Sequence, residues 1–239
     1  MAQPSVHVDD HDHGDVTGGW LRPAVFGAMD ALVSNAALIA GVAGGTQGSG
    51  DTTAIVLAGL AGLAAGACSM AAGEYASVAS QAEAAEFEVD KERRAITANP
   101  RGEQAELAAM LEQKGLEEEL AAEVAEQVHR DLDSAVAVHA MEEFGVDPDE
   151  LASPTVAAGS SFLAFSLGAL VPLLPYLLGV GSLWPAMVVT LVALFICGAV
   201  VTRVTIRPWW FGGGRQVLLG AVAFAVTYLV GLAAGGTIA

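Results

Sequence analysis

Basic residues are scarce. Ten Lys and Arg stand against 27 Asp and Glu in 239 residues, for a formal net charge of −17. Such a chain lacks the positive surface that a phosphate backbone requires, which excludes a nucleic-acid binder. Cysteine is scarcer still: Cys68 and Cys197 both lie in apolar runs and make no disulfide framework. Charge of either sign is sparse, at 15% of residues, where an ordinary soluble domain carries about 25%. That excludes an ordinary soluble globule. A disordered acidic chain is excluded by the opposite feature, an apolar content of 54% with mean hydropathy +0.52. What remains is a membrane protein whose acid is gathered in one place.

That place is residues 83–153, which hold 20 of the acidic and 6 of the basic residues, whereas residues 154–239 contain no Asp or Glu. Five segments are apolar enough to cross a hydrocarbon core of about 30 Å, which takes roughly 20 helical residues. They are expected near 24–45, 54–76, 155–178, 183–203 and 216–236. The fold class is therefore an all-α membrane protein, with five transmembrane helices and a three-helix acidic cytoplasmic domain between spans two and three. Its expected parts are an acidic N-terminal tail (1–22), spans one and two (23–82), the acidic helical domain (83–153) and spans three to five (154–239).

The loops orient the chain. Residues 46–51, residues 179–182 and the C-terminal end have no Lys or Arg, and every basic residue falls on the opposite side. The positive-inside rule then places the N-terminus and the insert in the cytoplasm and the C-terminus outside. The first 19 residues lack a basic n-region and a cleavage site, so no signal peptide is expected. With no targeting extension visible, a bacterial plasma membrane is the expected location. His7, His11 and His13 in this tail read either as metal capture or as part of a solvated tail.

No proline interrupts residues 54–98, and the stretch after Gly73 is rich in Ala and Glu, good helix formers. Span two is thus expected to run on as one rod, about 37 Å beyond Gly73. Asn99-Pro100 reads as a cap with proline at the first helical position, opening a helix near 101–114 that Gly115 ends. A third helix is expected over 116–144, stopped by Gly145. Ser153-Pro154 repeats the cap-proline signal and opens span three. Carboxylates recur at helix-neighbour spacings: Glu83 with Glu86, Glu86 with Asp90, Glu88 with Glu92, Glu103 with Glu106. Any one such pair reads as a solvated face. Twenty acids against six bases in a compact bundle call for a cation, and oxygen-rich clusters suit Mg(II), Mn(II) and Fe(II).

Within the spans the only acids are Asp30 and Glu74. An ionisable residue at bilayer depth costs about 2.5–3.5 kcal/mol on insertion scales and marks a functional site. Asp30 lies about 9 Å in from the inner end of span one. Span two runs the other way, which puts Glu74 near its inner end and Met70 one turn deeper on the same face. Two carboxylates beside a thioether favour Fe(II) or Zn(II) over Mg(II) or Ca(II). Metal binding requires deprotonated ligands, so metal and protons displace one another. That is the logic of a metal/proton antiporter.

The runs GAMDALVSNAALIAGVAGG in span one and GLAAGACSMAAGEYASVASQ in span two, with the acidic helical insert and the five-span layout, resemble the vacuolar iron transporter family over about residues 20–239. The resemblance implies a transporter rather than an enzyme. It implies a homodimer with a pathway between subunits, moving Fe(II) and sometimes Mn(II) out of the cytosol in exchange for protons. It places membrane metal ligands at Asp30, Met70 and Glu74, and ligands of the cytoplasmic helices at Glu92, Glu103, Glu106 and Glu143. Glu83, Glu86 and Glu88 offer other alignments for the first insert helix. Some relatives carry methionines where this chain reads HAMEE, so His139 or Met141 is the substitute there. The implied partners are a second copy of the chain, divalent ions (Fe(II), with Mn(II) or Zn(II) as alternatives), protons and the bilayer. A second class, a membrane-tethered di-iron carboxylate ferroxidase or iron-storage protein, needs two Glu-x-x-His motifs on a four-helix site, and this chain has one, Glu126–His129.

Overall fold

The computed structural model describes residues 19–47, 52–204 and 206–238. His7, His11 and His13 lie outside them. Eight α-helices follow one another: α1 (Leu21–Gly45), α2 (Thr53–Ala98), α3 (Pro100–Gln113), α4 (Glu118–Val128), α5 (Leu132–Phe144), α6 (Pro154–Leu177), α7 (Leu183–Val201) and α8 (Trp209–Ile238). Five of them, α1, α2, α6, α7 and α8, are long and apolar enough to cross a bilayer. The three short helices α3–α5 stand between the second and third of these. The protein is a multi-pass membrane protein with a helical acidic insert.

The transmembrane helices pack on small residues. α6 lies along both α1 and α2, and α8 lies along α1 and α7. Ala31, Ala67, Phe165 and Ala169 join α1, α2 and α6, while Leu32, Ala36, Leu194 and Phe224 join α1, α7 and α8. Gly41 and Gly45 of α1 meet Gly231 and Gly235 of α8, where a Cβ on Gly231 would overlap the Gly41 carbonyl oxygen. These two GxxxG pairs serve contact within one chain. Large apolar side chains on α7 and α8, among them Val188, Val192, Ile196, Leu218 and Val222, face outward, as a bilayer requires. α8 begins seven residues before the expected span. Its opening Gly212 and Gly213 sit so close to Gly198 and Phe195 of α7 that side chains there would clash, and this packing extends the helix toward the aqueous end.

α2 is the rod that its composition predicts: 46 residues without a break, about 69 Å long. It leaves the span region and continues into the insert, so the division after residue 82 falls within one helix. Asn99 caps α3 by accepting from the Gly102 backbone N–H, with Pro100 at the first position, and Ser153 caps α6 in the same way through Val156. α3 ends at Gln113, and the chain turns away at Gly115, whose φ of 102° no L side chain adopts readily. Gly145 ends α5 at φ 67°, with the Val146 N–H reaching back to the Ala140 carbonyl.

One expectation fails. The third insert helix is not continuous over 116–144 but breaks into α4 and α5 at residues 129–131. Asp131 is extended, and its carboxylate accepts from both the backbone N–H and the hydroxyl of Ser134, each at 2.9 Å. These bonds hold the Asp131 carboxyl below the usual carboxylate range. Asp is a favoured N-cap because its carboxylate accepts from a backbone N–H two or three residues on. It outcompetes the apolar periodicity that otherwise reads straight through. The break lets α4 pack on α3 through Leu107, Ala121 and Ala125, while α5 returns to α2 through Ile96, Ala135 and Val136.

Candidate metal centres

Two regions gather the residues singled out above. The first is a cleft of about 520 Å³ between α1 and α2, floored by Phe165 of α6. Asp30 on α1 and Met70 and Glu74 on α2 all line it, together with Arg22, Ser34, Asn35, Ser69 and Ser77. Why the cleft exists is local: Gly62, Gly66 and Gly73 strip the facing side of α2 of side chains. A Cβ on Gly66 would run into the Phe165 ring, and one on Gly62 would lie 2.6 Å from Asn35 Oδ1. The cleft is open, with Asp30, Ser34, Ser69 and Gly73 exposed. Asn35 was not among the residues expected to matter. Its side chain is buried and its Nδ2 donates to the Ala169 carbonyl at 2.8 Å. That bond turns Oδ1 toward α2, where it has no hydrogen-bond partner. A polar residue five positions after Asp30 in an apolar run was the available signal.

The second region lies in the insert. Glu92 on α2, Glu103 on α3 and His139 on α5 bring one potential ligand atom each within 4.8 Å of one another. His139 is fully buried, and Glu92 is 7% exposed. His139 Nδ1 lies 3.0 Å from Glu92 Oε1 and 3.2 Å from Glu143 Oε1. Burial pushes the Glu92 carboxyl above the ordinary glutamate range. The Glu143 carboxylate adds to that, His139 works against it, and Glu103 and Glu106 add smaller repulsions. Glu92, Glu103, Glu106 and Glu143 therefore share one electrostatic neighbourhood, although they come from three helices. A buried carboxylate held against three like charges is unfavourable unless a cation joins it.

The remaining residues separate. Met141 is 47% exposed; of the two candidates in HAMEE, His139 is the one turned into the cluster. Glu83 and Glu86 are exposed, and Glu88 pairs with Lys91 at 2.9 Å on the rod's outer face. In the Glu-x-x-His motif, Glu126 is exposed and faces Arg130 at 3.6 Å while His129 turns inward. The two halves of the motif do not point to one ion.

A family model described as the VIT family matches residues 21–232, which takes in both regions. The chain belongs to the VIT family. It is 38% identical to a vacuolar iron transporter of Acanthamoeba castellanii over 98% of this chain and 82% of that protein. A vacuolar iron transporter homolog of Arabidopsis thaliana is 33% identical over 89% of this chain and 84% of its own. Vacuolar iron transporter 2 of Oryza sativa subsp. japonica is 32% identical over 92% and 90%. Family membership and the Glu92–Glu103–His139 cluster together make this a metal-binding membrane transporter and not an enzyme. The oxygen-rich donor set suits a divalent cation.

Proposed function

We propose that this VIT-family protein exports Fe(II), and Mn(II) as a second cargo, from the cytosol in exchange for protons. Asp30, Met70 and Glu74 hold the ion at bilayer depth, and Glu92, Glu103, Glu106 and Glu143 with His139 gather it beforehand. The observation that carries this reading is the common cleft: the Asp30 carboxylate of α1 and, 40 or more residues on, the Met70 thioether and Glu74 carboxylate of α2 face one open space between the two helices. Carboxylates exchange a divalent ion for protons because the ligand form is the deprotonated one. The thioether biases the site toward Fe(II) and Zn(II), and away from Mg(II) and Ca(II).

The cleft's open side is the surface against which a second copy would close it, giving a homodimer with the path between its subunits. Arg22, Arg203, Arg207 and Arg215 share one end of the bundle with the acidic insert, because α1, α6 and α8 begin there, α7 ends there and α2 passes through it into the insert. By the positive-inside rule that end is cytoplasmic. The test is a proteoliposome assay with the whole chain: external Fe(II) or Mn(II), an internal metal-sensitive dye and an imposed pH gradient. Metal uptake that follows the proton gradient and reverses with it is the expected result. Uptake indifferent to the gradient, or none for either ion, refutes the reading.

A further inference from the structure

Neither His129 nor His139 has a described partner for its Nε2. His129 follows the end of α4 and His139 sits within α5, on either side of the break at Asp131. Their rings lie edge to face, with centroids 5.2 Å apart and planes at 83°.

In each ring the other nitrogen is committed. His129 Nδ1 lies 2.9 Å from the Ala125 carbonyl oxygen. A carbonyl only accepts, so Nδ1 carries the proton. His139 Nδ1 faces the carboxylate oxygens of Glu92 and Glu143, and the same reasoning puts its proton there. A neutral imidazole protonated at Nδ1 has its lone pair on Nε2. Both Nε2 atoms are buried, and neither has a hydrogen-bond partner. Two buried acceptors with no donor, in neighbouring rings, are an arrangement that folded proteins avoid.

The pattern is that of metal-binding histidines. Such a residue donates its distal N–H to a backbone carbonyl or a carboxylate, which fixes the tautomer and aims the free nitrogen. Here His129 has the Ala125 carbonyl and His139 has the Glu143 carboxylate. The ring separation agrees as well: two imidazole nitrogens binding one ion at about 2.0–2.1 Å and the tetrahedral angle place their ring centres about 5.2 Å apart.

We propose that Nε2 of His129 and Nε2 of His139 form a nitrogen site for a borderline divalent cation of the Zn(II), Co(II) or Ni(II) class. It is separate from the carboxylate cluster on the other side of the His139 ring. His139 joins the two: its Nδ1–H braces Glu143 and lies beside Glu92, and its Nε2 serves the second ion. Hard ions such as Mn(II) prefer the oxygen side and borderline ions the nitrogen side. The insert thereby sorts cations as well as gathering them. This holds independently of transport, since it concerns binding to the insert and not passage through the α1–α2 cleft.

The experiment uses the full chain in detergent with Co(II) as the probe. Tetrahedral Co(II) with nitrogen ligands absorbs intensely in the visible, and octahedral oxygen-ligated Co(II) only faintly. The wild-type chain is expected to show the intense band, bleached by one equivalent of Zn(II). His129→Gln should lose the band and bind Zn(II) at least about tenfold more weakly, a loss typical of removing a partner in a metal site. Its Mn(II) affinity, read from the signal of bound Mn(II) in electron paramagnetic resonance, should stay within about twofold of wild type. Glu103→Gln should do the reverse, weakening Mn(II) and keeping the Co(II) band. A wild-type chain with only the faint band overturns the proposal outright. So does an intense band that survives His129→Gln, or a loss of Mn(II) and Zn(II) in equal measure in both variants.

Discussion

The cleft between α1 and α2 and the cluster in the insert use the same kind of side chain in opposite ways. Among the described residues every ion pair falls within residues 88–143, and neither Asp30 nor Glu74 takes part in one. In the insert, Glu92 is buried and already faces an imidazole, and salt bridges such as Arg93–Asp133 at 2.6 Å fasten the surrounding helices. In the cleft neither carboxylate pairs with a described cation, although Arg22 lines the same space, and the facing side of α2 is thinned by glycine. The first arrangement is built before the ion arrives, which favours retention. The second presents few fixed contacts, as passage demands: an ion must bind well enough to enter and weakly enough to leave.

The strongest way to break this contrast is Asp30→Ala. Flux in proteoliposomes should fall by about a hundredfold or more, since the variant lacks one of two intramembrane charges. Mn(II) binding to the insert should stay within about twofold, because the two regions share no ligand. A parallel collapse of both would show one coupled site in place of two. A smaller effect sharpens the contrast from the other side. Glu92→Gln with Glu103→Gln should lower uptake about tenfold at micromolar metal and leave the saturating rate nearly unchanged, as expected when capture is lost and passage is kept. Equal losses at low and saturating metal would contradict the gathering role.

The smallest effect concerns pH. Glu92 holds its proton more tightly folded than unfolded. Its contribution to stability is therefore fully present below the ordinary glutamate value and is lost as pH rises through the raised folded one. Asp131 acts oppositely: its stabilisation is present above the ordinary aspartate value and is lost as pH falls through the depressed one. Thermal unfolding of the metal-free chain, followed by circular dichroism, should show the melting temperature of the insert decline from about pH 4.5 upward. Saturating Mn(II) should flatten that decline. An unchanged slope with the ion bound would mean that Glu92 is not where the ion sits.

Much of this was legible in the sequence because the signals were strong and local. Twenty acids in one stretch, proline behind Asn99 and Ser153, and the uninterrupted Ala and Glu of α2 each have one structural meaning. The convergence of Glu92, Glu103 and Glu143 was not readable from spacing: it depends on how three helices fold back, and it entered through family resemblance alone. The break at Asp131 was hidden because apolar periodicity runs across it, and the inward turn of His129 was hidden with it. Asn35 was missed because an amide carries no charge and stands out in an apolar helix only once its neighbours are known.

The continuity of α2 has a consequence of its own. A single helix joins Met70 to Glu92 with no flexible joint, so the azimuth of one fixes the azimuth of the other. One alanine added near Ser80 would swing the gathering cluster about 100° around the axis relative to the cleft, and seven would bring it back to within about 20°. Uptake at low metal should then vary with the phase of the insertion and not with its length, as the output of a camshaft depends on the angle at which its lobes are set.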